Sequence, residues 1–404
     1  MKILFLCHRF PYPADGGGKI RVLEMLRHLN RSHEVHLVSM VRSDQEARLA
    51  PGLNAYCASY RAPRVHPLMQ ALRTGRCLLT GESLSVGFFG SRAVQQAVNK
   101  LTTNIAFDCI IAHCSAMGPY VEGIKNIPAL IDFCDMDSEK WRAYADHCTG
   151  PRRWLYRYEQ RAVQRLERRL AARAGITTVA TPGELQCLRA QGTARTCALI
   201  PVGVDVDYFS PLAEPVDPNL LCFVGRMDYF PNESCAGEFC RDVWPRIRQA
   251  RPAARFAIVG ANPTPRVRAL ADLPGVEVTG TVPDVRPWLG RAVAMVAPLR
   301  IARGTQNKLL EALAMGVPVV TSTLAAQGLA EPARAAVLCA DSAAEVFDAV
   351  MQCMTDPPSR AERAASGLAA VRTHCTWPAA MRELDELLRH LVSPAPLPAP
   401  APAH

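Results

Sequence analysis

Short apolar runs recur along the chain, each followed by a longer stretch in which apolar residues return every three or four positions. The first pattern is that of buried strands and the second that of amphipathic helices. Runs at 2–7, 34–40, 108–114 and 128–134, with shorter ones near 176–180 and 197–202, predict the strands of the first half. Runs at 219–224, 255–260, 276–279, 293–297, 317–321 and 336–339 predict those of the second. Strands alternating with helical patterns imply an α/β protein, with parallel sheets covered by helices on both faces.

The alternation is interrupted once. Ile200-Pro201-Val202-Gly203-Val204-Asp205 ends the first series, and residues 211–218 are rich in proline and acid. The expected organisation is therefore a domain over 1–199, a linker over 200–218 and a second domain over 219–377. A last helix is expected over 378–392, followed by a disordered Pro/Ala tail over 393–404. Ligands of doubly wound sheets bind beyond the carboxyl ends of the strands, and two such domains facing a central cleft suit a bulky two-part ligand.

Composition supports two cores: 404 residues, 49% hydrophobic and 21% charged. The fifteen cysteines are odd in number and contain no Cys-x-x-Cys pair. Cys7, Cys109, Cys222 and Cys339 lie in apolar runs, as small buried hydrophobes do. Reduced thiols favour the cytoplasm. The apolar run Ile3–Cys7 is too short for a signal peptide, and no run is long enough to span a membrane. The net charge of +9 is uneven: the first 200 residues carry 27 Lys and Arg against 16 Asp and Glu. That half fits an anionic membrane surface or substrate. No nucleic-acid motif is present, so no nucleic-acid partner is expected.

Two segments carry candidate chemistry. His8-Arg9-Phe10-Pro11-Tyr12-Pro13-Ala14-Asp15-Gly16-Gly17-Gly18 joins the first strand to a helix marked by Val22, Leu23, Leu26 and Leu29. Such a loop lets backbone amides approach a phosphate, or serves as a flexible turn. It is neither Gly-x-Gly-x-x-Gly nor a Walker loop, which weighs against a dehydrogenase or an ATPase. In the second half, Gly304-Thr305-Gln306-Asn307-Lys308 precedes a helix that ends at Gly316. Loop amides and Lys308 would meet a phosphate. Glu311, on an otherwise apolar helix, needs either ligand hydroxyls or an i, i+3 pairing with Lys308.

The stretch Gly-x-x-x-Lys-x-Leu-Glu-Ala-x-Ala-x-Gly-x-Pro-Val-Val, from Gly304 to Val320, resembles the donor-site motif of retaining glycosyltransferase family 4, whose fold is GT-B. Ile200–Asp205 with Tyr208-Phe209-Ser210-Pro211 resembles the family's interdomain segment. Phe223-Val224-Gly225-Arg226 resembles its phosphate-arginine strand end, and His374–Trp377 the start of its last helix. The likeness extends over residues 1–392. Asp132–Trp141 and Met227–Asn232 resemble the subgroup associated with exosortase/PEP-CTERM systems and bacterial exopolysaccharide assembly.

This resemblance implies transfer of a sugar from a nucleotide-diphosphate sugar to a glycan or polyprenyl-linked acceptor, without a metal or other cofactor. The implied catalytic residues are His113, Arg226 and Lys308. Donor contacts would come from Gly16, Gly17, Arg226, Asn232, Arg303, Gly304, Thr305, Asn307, Lys308, Leu309 and Glu311, with Glu311 on the ribose. Asp135, Asp137 and Lys140 would face the acceptor, and the last helix would pack back toward the first domain. Three positions depart from the pattern. Arg303 stands where a sugar-contacting glutamate is usual, Asn232 where a lysine is usual, and Val202 replaces an asparagine. Lys308 is then the expected second phosphate cation. These departures leave an epimerase, a hydrolase or an inactive nucleotide-binding protein of the same fold as alternatives.

Asp132, Asp135 and Asp137 could form a metal cluster by count, but a strand-to-helix turn favours helix capping or acceptor contacts. The basic helix over 151–174 opposes eight arginines with only Glu159 and Glu167, and has Trp154, Leu155 and Tyr158 along one edge. It suits the surface of an anionic membrane, which would make the protein peripheral on the cytoplasmic face.

Overall fold

The structure is a computed structural model that describes residues 1–14 and 16–393. Its first sheet has seven strands: β1 (Lys2–Cys7), β2 (Glu34–Val38), β3 (Ser59–Arg61), β4 (Cys109–His113), β5 (Ala129–Cys134), β6 (Ile176–Val179) and β7 (Cys197–Leu199). Their order is β3-β2-β1-β4-β5-β6-β7. The second sheet contains β8 (Asp217–Val224), β9 (Arg255–Val259), β10 (Val276–Gly280), β11 (Ala292–Ala297), β12 (Val319–Thr321) and β13 (Leu338–Cys339), in the order β10-β9-β8-β11-β12-β13. Both sheets are parallel throughout, with helices supplying the crossovers.

The apolar runs form strands because parallel strands are covered on both faces. Ile3 to Cys7 are completely buried, and so are Cys109 to Ala112 beside them. The strand missed by the sequence pattern is β3. Its Ser-Tyr-Arg stretch has no apolar run, since it lies at the sheet edge; His36 Nδ1 of β2 reaches Ser59 Oγ at 2.8 Å.

The chain divides into two compact units, one made of Met1–Pro201 with the residues from Ala380 onward, the other of Val202–Ala379. Within the second, Val204 N–H donates to Cys375 O at 2.8 Å. Gly203 lies so close to this segment that a Cβ would stand 2.3 Å from Trp377 N. Within the first, the helix Trp377–Val392 places Asp385 2.9 Å from His28 Nε2. The tail expected to be disordered, 393–404, lies outside the described residues beyond Ser393.

All fifteen cysteines are free. Cys7, Cys109 and Cys222 are buried as expected, but Cys339 is exposed, because β13 is a two-residue strand at a sheet edge. Among the described residues no helix is long and apolar enough to cross a membrane.

Candidate functional site

Each doubly wound sheet has a switch point, where crossovers leave in opposite directions and a crevice opens at the carboxyl ends. In the first unit this lies between β1 and β4, and in the second between β8 and β11.

In the first unit a cavity of about 540 Å³ opens there. His8 and Arg9 leave the end of β1, His113 and Cys114 the end of β4, and Cys134 and Asp135 the end of β5. All six line the cavity. Cys114 and Cys134 have φ of 71° and 64°, a strained left-handed conformation for residues with a Cβ. These turns redirect the chain immediately after His113 and before Asp135.

A buried network positions His113. Its Nδ1 lies 2.9 Å from Asp132 Oδ2. Asp132 is fully buried and accepts from Arg21 Nε and Nη2, each at 3.0 Å, and from Thr178 Oγ1 at 2.9 Å. Burial alone would raise the Asp132 pKa, but Arg21 and the His113 hydrogen bond hold it well below the ordinary carboxylate range. An ionised Asp132 only accepts, so His113 Nδ1 carries the hydrogen and Nε2 is left for a ligand. Nothing in the sequence reading singled out Arg21. The available signal was its place on the apolar face of its helix, four residues before Met25, where a solvated arginine does not belong.

The predicted acceptor residues gather in the same cavity: Asp135, Asp137 and Lys140 all line it. Asp135 Oδ1 is buried with no hydrogen-bond partner. Burial, then Glu184 and Asp137, raise the Asp135 pKa to about 7. Asp137 accepts from Ser115 Oγ at 3.2 Å and pairs with Lys140 at 3.7 Å. The expectation of helix capping fails for these aspartates. Met136 occupies the N-cap position of the helix Asp137–Asp146, and the amides there are met by distant acids. Glu184 accepts from Met136 N at 2.9 Å, and Glu167 from Ser138 N at 3.0 Å. Asp132 is committed to Arg21. Among the described residues no group of three or more His, Cys, Asp or Glu is placed to hold a metal ion.

Gly16 and Gly17 start the helix Gly17–Leu29, which has no side-chain cap. The basic helix is Gly150–Arg173. Its two acids are turned inward, away from solvent. Glu159 and Glu167 are buried, and Glu159 accepts from Ser83 Oγ and from the amides of Leu84 and Ser85.

In the second unit, Gly225 and Arg226 follow β8, and the loop Arg303–Gln306 leads into the helix Asn307–Ala314. Asn232 is buried and holds both sides together: its Nδ2 donates to Arg226 O at 2.9 Å, and its Oδ1 accepts from Lys308 Nζ at 2.5 Å. Lys308, in the first turn of its helix, thus meets Asn232, the position where a lysine is usual, and Asn232 has both ends of its amide engaged. Arg226 forms a two-pronged contact with Asp228, at 3.1 and 2.7 Å, yet remains largely exposed. Burial lowers the Lys308 pKa to about 8.

Glu311 does not pair with Lys308 in the i, i+3 manner. Among the described residues it has no hydrogen-bond or ion-pair partner, and burial raises its pKa to about 7 against the opposing pull of Lys308. Gly304 has φ +64°, and its carbonyl lies 2.5 Å from where a Cβ on Gly328 would be, so both positions require glycine. Arg303, Thr305 and Asn307 are partly exposed along this loop, and Arg303 O accepts from Gln306 Nε2 at 3.1 Å. Leu309, expected to touch a donor, buries its side chain completely, and its amide donates to Gln306 O. The remaining loop amides lack a side-chain cap.

Residues 218–356 match the sequence profile of the family described as "Glycosyl transferases group 1". No curated protein matches the chain by sequence. Among solved structures, the chain is similar to Anabaena HepE in complex with UDP and glucose, at 14% identity and a TM-score of 0.67, covering 96% of this chain and 99% of that one. It is also similar to a glycosyltransferase from Rickettsia africae, at 11% identity and a TM-score of 0.65, covering 98% and 99%. WaaG, a glycosyltransferase involved in lipopolysaccharide biosynthesis, matches at 16% identity and a TM-score of 0.63, covering 97% and 100%. The fold is GT-B.

Proposed function

We propose that this chain is a glycosyltransferase that binds a nucleoside-diphosphate sugar on its second unit and an acceptor in the cavity of its first. The observation that carries this reading is Glu311, an unpaired carboxylate one turn into the helix whose amino end bears Lys308. A partly buried, desolvated acid without a hydrogen-bond partner is costly to ionise, and a pair of ligand hydroxyls, such as those of a ribose, would relieve it. The uncapped amides, Lys308 and Arg226 suit the attached diphosphate, with the planar fork of Arg226 spanning two phosphate oxygens. HepE binds UDP and glucose, and the profile match covers this part of the chain.

In the proposed retaining transfer, the bond from the anomeric carbon to the diphosphate oxygen breaks, and the acceptor hydroxyl bonds to the same face of that carbon. The departing phosphate oxygen takes the hydroxyl proton. Side chains therefore position the reactants and stabilise charge. Lys308 and Arg226 offset the negative charge growing on the leaving group. His113, held by Asp132, lines the acceptor cavity with Nε2 left for a ligand. Asp135, Asp137 and Lys140 orient the acceptor. The acceptor would be a glycan or a lipid-linked sugar of bacterial exopolysaccharide or cell-surface polysaccharide synthesis, on the cytoplasmic side.

Isothermal calorimetry with UDP, GDP and ADP tests the reading directly. One of them is expected to bind, and to bind at least about tenfold more weakly to Glu311→Ala and to Arg226→Ala. Unchanged affinity in both variants would remove this site from the mechanism. Turnover of the matching nucleotide sugar into free epimer, with no transfer, would replace the transferase by an epimerase.

A further inference from the structure

The helix Pro67–Thr80 in the first unit has its polarity inverted. Gln70 and Cys77 are its buried residues, and Arg73 and Thr74 flank them on the inward side. Their polar atoms are satisfied within the protein: Gln70 Nε2 donates to Phe88 O at 2.7 Å, Thr74 Oγ1 to Gln70 O at 2.8 Å, and Arg73 to Gly90 O. The outward side is apolar. Leu68, Leu72 and Leu79 are 69%, 68% and 89% exposed, and Met69 and Leu78 are exposed beside them. At 3.6 residues per turn, Leu68, Leu72 and Leu79 fall within about 40° of one another, along one line of the helix.

Neighbouring elements extend this surface. Phe88 is exposed, and Trp154 is 64% exposed and stacks on Tyr158, whose hydroxyl anchors to Cys77 O and Glu82 O. The charge around it is mainly positive. The helix itself contains Arg73 and Arg76 and no acid, Arg152 and Arg153 precede Trp154, and Arg165 donates to Gly81 O. Glu82 is the exposed acid at its margin.

We propose that this surface docks on an anionic lipid bilayer, with the leucine line in the acyl boundary and the arginines among the headgroups. An apolar line rimmed by arginines matches both layers of such a bilayer. A protein partner would supply the first complement but has no inherent reason to supply the second. The surface also meets the acceptor cavity at Phe88, which is exposed and lines that cavity as well. Resting on the proposed transferase reading, this junction assigns the acceptor class. It is a sugar on a lipid carrier, whose chain stays in the bilayer while its head enters past Phe88.

Flotation of the full chain with vesicles of phosphatidylglycerol and phosphatidylcholine tests the proposal, with phosphatidylcholine vesicles as the comparison. Binding to the anionic vesicles is expected, with partition falling on the order of a hundredfold for Leu68→Ser/Leu72→Ser/Leu79→Ser and severalfold for Arg152→Gln/Arg153→Gln. These positions are exposed, so circular dichroism should show unchanged folding, and nucleotide affinity should match the parent. No binding to either vesicle, or binding that ignores the leucines, overturns the proposal. A monomer–dimer equilibrium abolished by the leucine variant, with no vesicle binding, would assign the face to a second copy instead. Vesicle binding by a chain that binds no nucleotide would leave the docking surface standing and refute the transferase reading alone.

Discussion

At the scale of single residues, three acids shape the sites: Asp132, Asp228 and Glu311. Asp132 is neutralised by Arg21, 111 positions distant, and carries His113 with it. Asp132→Asn would leave Arg21 as a buried uncompensated cation, so unfolding by denaturant should show a loss of about 3–5 kcal/mol. Arg226 is shared with Asp228, which competes with any phosphate for its fork. Asp228→Asn should therefore tighten nucleoside-diphosphate binding, measured by calorimetry, while Arg226→Ala weakens it. Glu311 combines opposing effects. Its carboxylate is desolvated and makes no hydrogen bond, so Glu311→Gln should raise the melting temperature of the unliganded protein at pH 8, a gain of about 3 kcal/mol at most. The same change should cut nucleotide affinity. A variant that loses both stability and affinity would show that Glu311 is a packing residue.

At the scale of elements, helix ends decide which surfaces remain available. The helix Asn307–Ala314 closes with Gly316 at φ +70°, where Val317 N–H returns to Ala312 O at 2.9 Å and Gly316 N–H to Leu313 O at 3.0 Å. This is a Schellman end, and its glycine was readable from the sequence because only glycine takes that conformation without strain. The opposite end of the same helix has no side-chain cap, which leaves its amides to a ligand. By contrast, the helix Asp137–Asp146 is capped by Glu167 from the basic helix, and Glu159 serves the short helix Leu84–Phe89. The sequence shows Glu167 only as an acid among arginines. Its true role depends on the face it occupies once the helix is packed. Glu167→Ala would strand the Ser138 amide, at a cost of about 1–3 kcal/mol. Hydrogen exchange should speed up at the start of Asp137–Asp146 before it does so elsewhere.

At the scale of the whole molecule, Asp135, Glu167 and Glu311 share one consequence, because burial raises each pKa to about 7. Their folded values exceed their unfolded ones, so the folded chain keeps protons that the unfolded chain has released. The stability they contribute is fully present below about pH 4 and is lost as the pH rises toward about 7. Asp132 works oppositely, its contribution disappearing only as the pH falls below its unfolded value near 4. In chemical unfolding between about pH 4.5 and 7.5 these three groups should therefore contribute declining stability, opposed by desolvated His8, whose pKa is held well below its usual value. Combining Asp135→Asn, Glu167→Gln and Glu311→Gln should flatten that slope by about 1 kcal/mol or more per group.

Read by itself, the sequence determined the two parallel sheets and the glycines that punctuate the loops. A strand covered on both faces must be apolar throughout, and a left-handed turn excludes most side chains, so both leave local marks. The Gly304–Gly316 segment was legible for that reason, and Lys308 and Glu311 could be named from it. Which groups those residues meet was decided only by the tertiary structure. Lys308 meets Asn232, Glu311 forms no hydrogen bond or ion pair among the described residues, and Glu167 meets a helix end. The leucine line of Pro67–Thr80 likewise became visible only once its polar side was seen to face inward. Periodicity shows that a helix has two faces, but packing against distant elements determines which of them is left to the surroundings.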